Sequence, residues 1–371
     1  MLKQIELWDL YNKNIYVKIE KQIIKQFFEN YEKNNSKIKI KIWAYKNQRY
    51  FTPLDTIIKI LNLFPPEEEI KFKKLVESNI EELKFGSGKA KPIKNPRLPI
   101  KFSPELAKIC GHLIGDGGIR LTKGDYAVHY TNKNPFLIEQ FKQNILKTFG
   151  NIEPYYYEYK IKDNNIDLKV IRFPSIIGII LMEFFGSMIK DTKKVPEIIM
   201  NSDKRSKSLF LQALYDDEGC ISSNRIGICI TNKEVIESIK KILETEFLIQ
   251  PTKITKRVHK GWLDLYRLEI HGRKDIMLFS KEISFSHPKK KEKLKLFIKE
   301  YKNKNFYFRK GELKNLITNI LKKRGNQSVY DIAKNLNIEP KRSLRRKLYL
   351  LEKDNIIKAI RNKNRIKIYN I

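Results

Sequence analysis

With 371 residues, 41% of them hydrophobic and including 20 Phe and 18 Tyr, the chain is too long for one ordinary domain and too apolar to be a basic disordered tail. Its 75 Lys and Arg against 42 Asp and Glu leave a formal charge of +33, which points to a polyanionic partner, nucleic acid first; a Lys- and Ile-rich composition also follows from an A·T-rich genome or a hot habitat. Cys110, Cys220 and Cys229 form no C-x-x-C pair, which excludes a disulfide framework or a thiolate zinc site and fits a reducing, cytoplasmic setting.

The chain opens without a signal peptide, and its longest apolar stretch, Ile176 to Phe185, falls far short of the roughly 20 residues a membrane span needs, so a soluble protein with no membrane partner is expected. Two Pro-, Lys- and Gly-rich seams, Gly86 to Pro99 and the basic stretch Pro288 to Lys310, divide it into three segments. In the first, 1–90, residues 39–45 read as a strand and Pro53 opens a helix, giving an α/β or helical accessory module.

The middle segment, about 100–300, contains a duplication with units of roughly 104–194 and 207–296. In the first unit Ser103 caps a helix with Pro104 at its first position, and Gly115 to Gly118 stops it. A hairpin turning at Lys123 to Asp125 follows, then a strand 126–131, a helix from Pro135 to about Phe149, a second hairpin across Lys162 to Asn165, and a helix from Ser175 to about Phe185. The second unit repeats the order. Its helix ends at Glu218, a hairpin over Ser223 to Arg225 leads into a strand 226–231, and a helix 234–248, a hairpin over His259 to Gly261 and a helix from about Lys274 complete it. The matching signposts TNK at 131–133 and 231–233 open the middle helices, so an α+β fold of two α-β-β-α-β-β-α halves about a pseudo-twofold axis is expected.

Each unit's first helix ends in a carboxylate followed by glycine, Asp116 before Gly117 and Glu218 before Gly219. A carboxylate there faces the negative end of the helix dipole, so a cation is called for. Ala107, Gly111 and Gly115 recur one turn apart and Ala213 stands at the matching place in the second helix, so the two backbones can approach closely and bring the acids side by side. With the terminal carbonyls of Gly115 and Asp217 they form an all-oxygen pocket suited to Mg²⁺, with Mn²⁺ as a substitute.

These residues carry a family resemblance. Residues 109–117 read ICGHLIGDG and 211–219 read LQALYDDEG; both resemble the nine-residue LAGLIDADG motif, with Asp116 and Glu218 on its acidic eighth position. The chain departs from it at Cys110, His112, Ile114 and Gly115, and at Gln212, Ala213, Tyr215, Asp216 and Asp217, without losing an acid. The resemblance implies a homing endonuclease whose motif helices join the two halves, whose acids bind divalent metal and whose sheets lie in the major groove of a long double-stranded DNA target. It also implies a catalytic lysine late in each repeat, here Lys190 and Lys290 by position, and a water-orienting polar residue at Asn132 and Asn232. Both lysines lie in clusters that read equally as solvated faces, and the asparagines stand where helix caps are expected. The other histidines lack metal-ligand spacing.

On the hairpin strands Arg120, Arg225, Lys256 and Arg257 are candidate DNA contacts. From 310 to 371 the pattern is three helices and a hairpin, similar to a winged helix-turn-helix, in which Ser328 and Asp331 form a capping box. Lys341, Arg342, Arg345 and Arg346 would enter the major groove. With both halves on one chain a monomer is expected. The opening Met1 and the closing Tyr369 to Ile371 lack splicing residues, which favours a stand-alone enzyme, intron-associated in type, over an intein. A binding-only transcription regulator and an RNA-splicing maturase are the competing readings on the same fold.

Overall fold

The computed structural model describes residues 3–34, 45, 50–122, 124–161, 166–186, 194–222, 225–258, 263–301, 311–336, 338, 342–361 and 367–371. The strand expected at 39–45, except its last residue, all four hairpin turns named for the repeats in whole or part, and the closing turn beyond Arg361 lie outside them. The chain forms two compact units, one of residues 1–218 with 232–239 and one of 219–231 with 240–371.

In the first unit, strand β1 (Gln4–Ile5), β2 (Ile15–Ile19), helix α1 (Lys21–Asn34), β3 (Thr52–Pro53), α2 (Leu54–Leu61), α3 (Pro66–Ser78), β4 (Ile80–Phe85) and β5 (Ile93–Lys94) make the N-terminal module. Its antiparallel sheet runs β3-β2-β4-β5. Strand β2 alternates Ile15, Val17 and Ile19 inward with Tyr16 and Lys18 between them, the period of a half-buried strand. Those side chains meet a helical layer in which the rings of Phe27, Phe64 and Phe72 lie within 6 Å of one another. The module is therefore α/β and runs past residue 90, because β5 is one of its strands. Strand β6 (Ile100–Lys101) pairs back with β1.

Helix α4 (Pro104–Ile114) begins where the Ser103 hydroxyl accepts the Leu106 N–H at 3.2 Å. Then come β7 (Gly117–Thr122), β8 (Asp125–Asn132), α5 (Pro135–Phe149), β9 (Tyr155–Ile161), β10 (Ile166–Phe173) and α6 (Ser175–Phe185). The sheet order is β7-β8-β10-β9, all antiparallel. Its register puts Ile119, Val128, Ile171 and Phe173 on one buried face. The short helix α7 (Glu197–Met200) leads to α8 (Lys204–Glu218), which packs on α4.

In the second unit β11 (Gly219–Ser222), β12 (Arg225–Ile230), β13 (Thr255–Arg257) and β14 (Leu265–His271) form a sheet of order β11-β12-β14-β13, the same connectivity as the first. Helix α9 (Lys233–Thr245) lies between its hairpins in sequence and α10 (Arg273–Glu282) follows them. The α-β-β-α-β-β-α order therefore occurs twice, on an α+β fold. The stretch read as a basic seam is in part a helix, α11 (Pro288–Tyr301), because Leu294 and Phe297 give it an apolar edge that is buried.

The C-terminal segment has its own core, with Ile317, Leu321, Ile332, Leu348 and Leu351 fully buried. It consists of α12 (Glu312–Arg324), β15 (Gln327–Ser328), α13 (Val329–Asn335), α14 (Arg342–Lys353), β16 (Lys358–Arg361) and β17 (Lys367–Asn370), with sheet order β15-β17-β16. Ser328 accepts the Asp331 N–H while the Asp331 carboxylate accepts the Ser328 N–H at 3.0 Å, the expected capping box. Strand β15, two residues long, was not apparent in the sequence.

Helix α6 meets β8 so closely that a Cβ built on Gly178 would lie 1.8 Å from the Tyr126 carbonyl oxygen. Backbone cannot swing aside like a flexible side chain. Gly178→Ala gains about 1 kcal/mol of helix propensity, and overpacking against a fixed backbone costs about 1–3 kcal/mol or more. A net loss of stability in urea denaturation is expected; unchanged or raised stability would disprove the close packing.

Candidate active site and nucleic-acid interface

The site is built where α4 and α8 run together. A Cβ on Gly111 would lie 2.4 Å from the Phe210 carbonyl oxygen and 2.8 Å from the Ala213 Cβ, so the small residues singled out in both helices are the contact itself. One turn earlier Lys108, a residue only 6% exposed, donates through its ammonium to the Gln212 side-chain oxygen across the interface at 2.9 Å. One turn later Gly115 faces Asp217, whose Oδ2 would stand 2.6 Å from a Cβ there. This pairing brings the two motif ends together, with Asp116 exposed and Glu218 half-buried.

Between them lies a polar network. The Asp217 side chain has no solvent exposure. Its Oδ1 accepts the Tyr130 hydroxyl at 2.6 Å, its Oδ2 lies 3.0 Å from His112 Nδ1, and the Asp116 N–H approaches Oδ2 at 3.5 Å. A buried carboxylate costs several kcal/mol unless donors surround it, and these supply that compensation. A ring proton on His112 Nδ1 serves Asp217 and leaves Nε2, buried without a hydrogen-bond partner, as the cheaper orphan, a bare acceptor. Burial, then the neighbouring Asp217 charge, pushes the Tyr130 hydroxyl far above its ordinary pKa, so it remains a donor. Asn132 closes the circuit, its Nδ2 donating to Asp116 Oδ2 at 2.9 Å and to the Tyr130 hydroxyl oxygen at 3.2 Å.

The two asparagines part company here. Asn134 accepts the Phe136 N–H and caps α5, so Asn132 is left to hold Asp116. Asn232 instead accepts the Val235 N–H at 3.2 Å at the start of α9, the capping role. Lys290 is half-buried near the start of α11, its N–H 3.5 Å from His287 Nδ1. Lys190 and Lys341 lie outside the described residues, as does the side chain of Arg342.

Among the described residues no group of three His, Cys, Asp or Glu side chains converges as a ready-made metal cage. The donors on hand, two carboxylates at helix ends beside terminal carbonyls, are hard oxygens and fit Mg²⁺, which keeps waters and takes phosphate oxygens for the remainder of its shell. The Asp217 carboxylate is committed to the buried network, so only its carbonyl could serve.

The solvent face of the first sheet is a concave surface lined by Arg120, His129, Thr131, Tyr157, Tyr159 and Arg172. Arg120 is one of the expected DNA contacts, and Tyr157 and Tyr159 belong to a strand whose alternating aromatic and polar residues read as a DNA-facing surface; the period-2 alternation of β8 implies that Ala127, His129 and Thr131 share a face, but only the register joins them to Arg172 and Tyr157. In the second unit Arg225 is paired with Glu269 at 3.3 Å and Lys256 with Asp264 at 2.6 Å, while Arg257 is exposed. The Asp264 hydrogen bond raises the Lys256 pKa. Arg345 lies over the Tyr330 ring at 5.8 Å and Arg346 is exposed.

Residues 206–284 match the family model of a LAGLIDADG-like domain. The chain is 26% identical over 254 residues, 65% of its length, to glutamine–fructose-6-phosphate aminotransferase (isomerizing) of Methanocaldococcus jannaschii, and spans only 22% of that protein. It is 27% identical over 270 residues, 72% of its length, to the replication factor C small subunit of the same organism, of which it spans 14%. Among solved structures, I-DmoI in complex with DNA and Mn is 20% identical with a TM-score of 0.37, the match covering 48% of this chain and 96% of that one. No helix among the described residues is long and apolar enough to cross a membrane.

The contact at Gly115 makes a sharp test of the pairing of α4 with α8. Gly115→Ala drives a methyl into Asp217 and is expected to cost about 1–3 kcal/mol, whereas Gly88→Ala, with nothing within 4 Å of its Cβ, should be near neutral. Equal melting temperatures for the two variants would contradict the arrangement.

Proposed function

We propose that this chain is a site-specific DNA endonuclease that makes metal-dependent double-strand breaks in a long target. The observation that supports it most is the exposed Asp116 carboxylate, held by Asn132 at the shared end of α4 and α8, next to half-buried Glu218. A pure binding protein has no use for two carboxylates facing phosphates. The two protein relatives have unrelated names and share only a small part of their length with this chain, so neither name carries over.

Asp116, Glu218 and the helix-end carbonyls would hold Mg²⁺ or Mn²⁺. Bound there, such an ion supplies an activated water and stabilises the leaving oxygen. Asn132 fixes the direction of the Asp116 carboxylate, and Lys290 and Lys190 are the candidates to stabilise developing phosphate charge. The concave sheet face offers Arg120, Arg172, His129 and the Tyr157 and Tyr159 hydroxyls to base edges and phosphates of the major groove. Arg257 joins them directly, while Lys256 and Arg225 must exchange a carboxylate partner for a phosphate. The C-terminal module is a winged helix-turn-helix in this reading, with Lys341, Arg342, Arg345 and Arg346 at the start of its recognition helix. Since both motif helices belong to one chain, the enzyme works as a monomer.

Cleavage of a DNA-site library in Mg²⁺ by the wild type, beside the Asp116→Asn/Glu218→Gln double variant, tests the proposal. Specific breaks from the wild type alone are expected, with DNA binding kept by the variant; specific binding without cleavage in Mg²⁺ and Mn²⁺ alike would favour a regulator. Tighter binding to intron RNA than to duplex DNA would favour a maturase.

The charge supplies an independent measurement. If about 6–10 phosphates are contacted, affinity should fall by roughly 10³ to 10⁵ between 50 and 200 mM salt. A flat salt response in fluorescence anisotropy would rule out the electrostatic interface.

A further inference from the structure

The N-terminal module holds a cavity that the endonuclease reading does not use. Strand register sets Pro53, Tyr16 and Lys84 opposite one another across β3, β2 and β4, so the three share one face of that sheet. Together with Tyr45, Tyr50 and Phe51 they line an open cleft of about 500 Å³. Two of its rings are held in place by the protein itself. Tyr45 lies nearly parallel to the fully buried Phe28 ring at 6.0 Å, and the Lys84 ammonium sits 4.2 Å from the centre of the Phe51 ring. Tyr50, by contrast, is 67% exposed. Lys84 is the unusual member, a charged residue only 8% exposed with which no carboxylate among the described residues forms an ion pair. Glu82, two residues away on β4, is engaged by Lys18 at 3.5 Å. The Lys84 ammonium donates instead to the Gly88 carbonyl at 3.0 Å and reaches the Ser87 carbonyl at 3.5 Å. Neutral carbonyls and a ring face compensate a buried cation only in part, and burial lowers its pKa accordingly.

A flat aromatic ligand with acceptors on its edge fits this combination. A nucleobase offers a π-face to the tyrosine rings, and its carbonyl oxygens and ring nitrogens offer acceptors to an ammonium that has three N–H donors. The surrounding charge selects a polyanion as the carrier of that base. Residues 1–101 have 21 Lys and Arg against 12 Asp and Glu, and 45–51 read YKNQRYF, aromatic residues interleaved with basic ones. In a duplex each base is covered on both faces by its neighbours, so a cleft lined by rings takes a base only when that base is unpaired and out of the stack. We propose that this cleft is a second nucleic-acid site, which stacks one unpaired base of a nucleic-acid strand on Tyr16 and Tyr50 while Lys84 donates to the edge of that base. The site gives the N-terminal module a function of its own and stands whether or not Asp116 and Glu218 hold a metal ion.

The test titrates the full chain, by fluorescence anisotropy and without divalent metal, into two labelled single strands of about 12 nucleotides, one of thymidine and one abasic. Both carry the same phosphate charge, so electrostatic contacts anywhere on the protein contribute equally to each, and the difference between them reports on the base. The wild type should prefer the thymidine strand by about 5- to 150-fold, the range for one stacked base. Tyr50→Ala, at a position too exposed to matter for folding, should remove that preference and leave the abasic strand bound as before. Tyr50→Phe, which keeps the ring, should restore it. Lys84→Met keeps the stem, deletes the buried charge and should reduce the preference as well; if it fails to fold, the two Tyr50 variants decide alone. Equal affinity of the wild type for both strands, or a preference that survives Tyr50→Ala, overturns the proposal. Free thymidine monophosphate that displaces the strand at equal nucleotide concentration would mark a mononucleotide site and overturn the strand as occupant. A uridine strand of the same length, bound more tightly than thymidine through the same Tyr50-dependent difference, would name RNA and not DNA as the source of the base. No arm of the test involves cleavage, so its failure and the failure of the endonuclease reading are told apart.

Discussion

Everything at the candidate site depends on how closely two helix backbones approach. With the position of a Gly111 Cβ only 2.4 Å from the Phe210 carbonyl, α4 and α8 meet at a separation that no side chain at 111 would permit. That separation lets the last turn of one helix reach the last turn of the other. It also forces the two acids into proximity with helix-end carbonyls, a concentration of negative potential that is unfavourable unless a cation is present. The motif is thus a packing device and a charge device at once.

The same closeness explains the buried network. Asp217 has no solvent and would be costly in an apolar interface. Tyr130, His112 and the Asp116 backbone supply donors from elements that are fixed for other reasons: Tyr130 by the pairing of β8 with β7 and β10, His112 by its place on α4. Since a half-satisfied buried carboxylate is worse than none, the network resists piecemeal change. Its outer member, Asn132, passes that rigidity to an exposed carboxylate.

Around this centre the basic charge is distributed by strand alternation. One face of β7, β8 and β10 carries Ile119, Val128, Ile171 and Phe173 into the core, and the other carries Arg120, His129 and Arg172 outward. The C-terminal segment has a separate core of its own and exposes Arg345 and Arg346. A formal charge of +33 is tolerable on such surfaces because a polyanion can neutralise it.

Much of this was legible in the residues, for local reasons. Period-3.6 and period-2 patterns, the caps at Ser103, Asn134 and Ser328, and the repeated TNK signposts are short-range signals, and they located both α-β-β-α-β-β-α copies and the C-terminal helices closely, though the helix expected over 234–248 ends at Thr245. The small residues at 111, 115 and 213 foretold the helix contact because steric room is a property of each residue alone. The N-terminal sheet, the helix at Pro288–Tyr301 and the partners of Asp217 were not legible in the same way. Tyr130 and Asp217 are 87 residues apart, His112 and Asp217 105, and nothing in the local pattern marks Asp217 as inward-facing among the acids at 216–218. Sequence by itself determined which residues could approach and which carried charge; only the tertiary structure decided which acid was exposed and which was buried, because that choice is made by strand register and helix rotation, which depend on contacts distant along the chain.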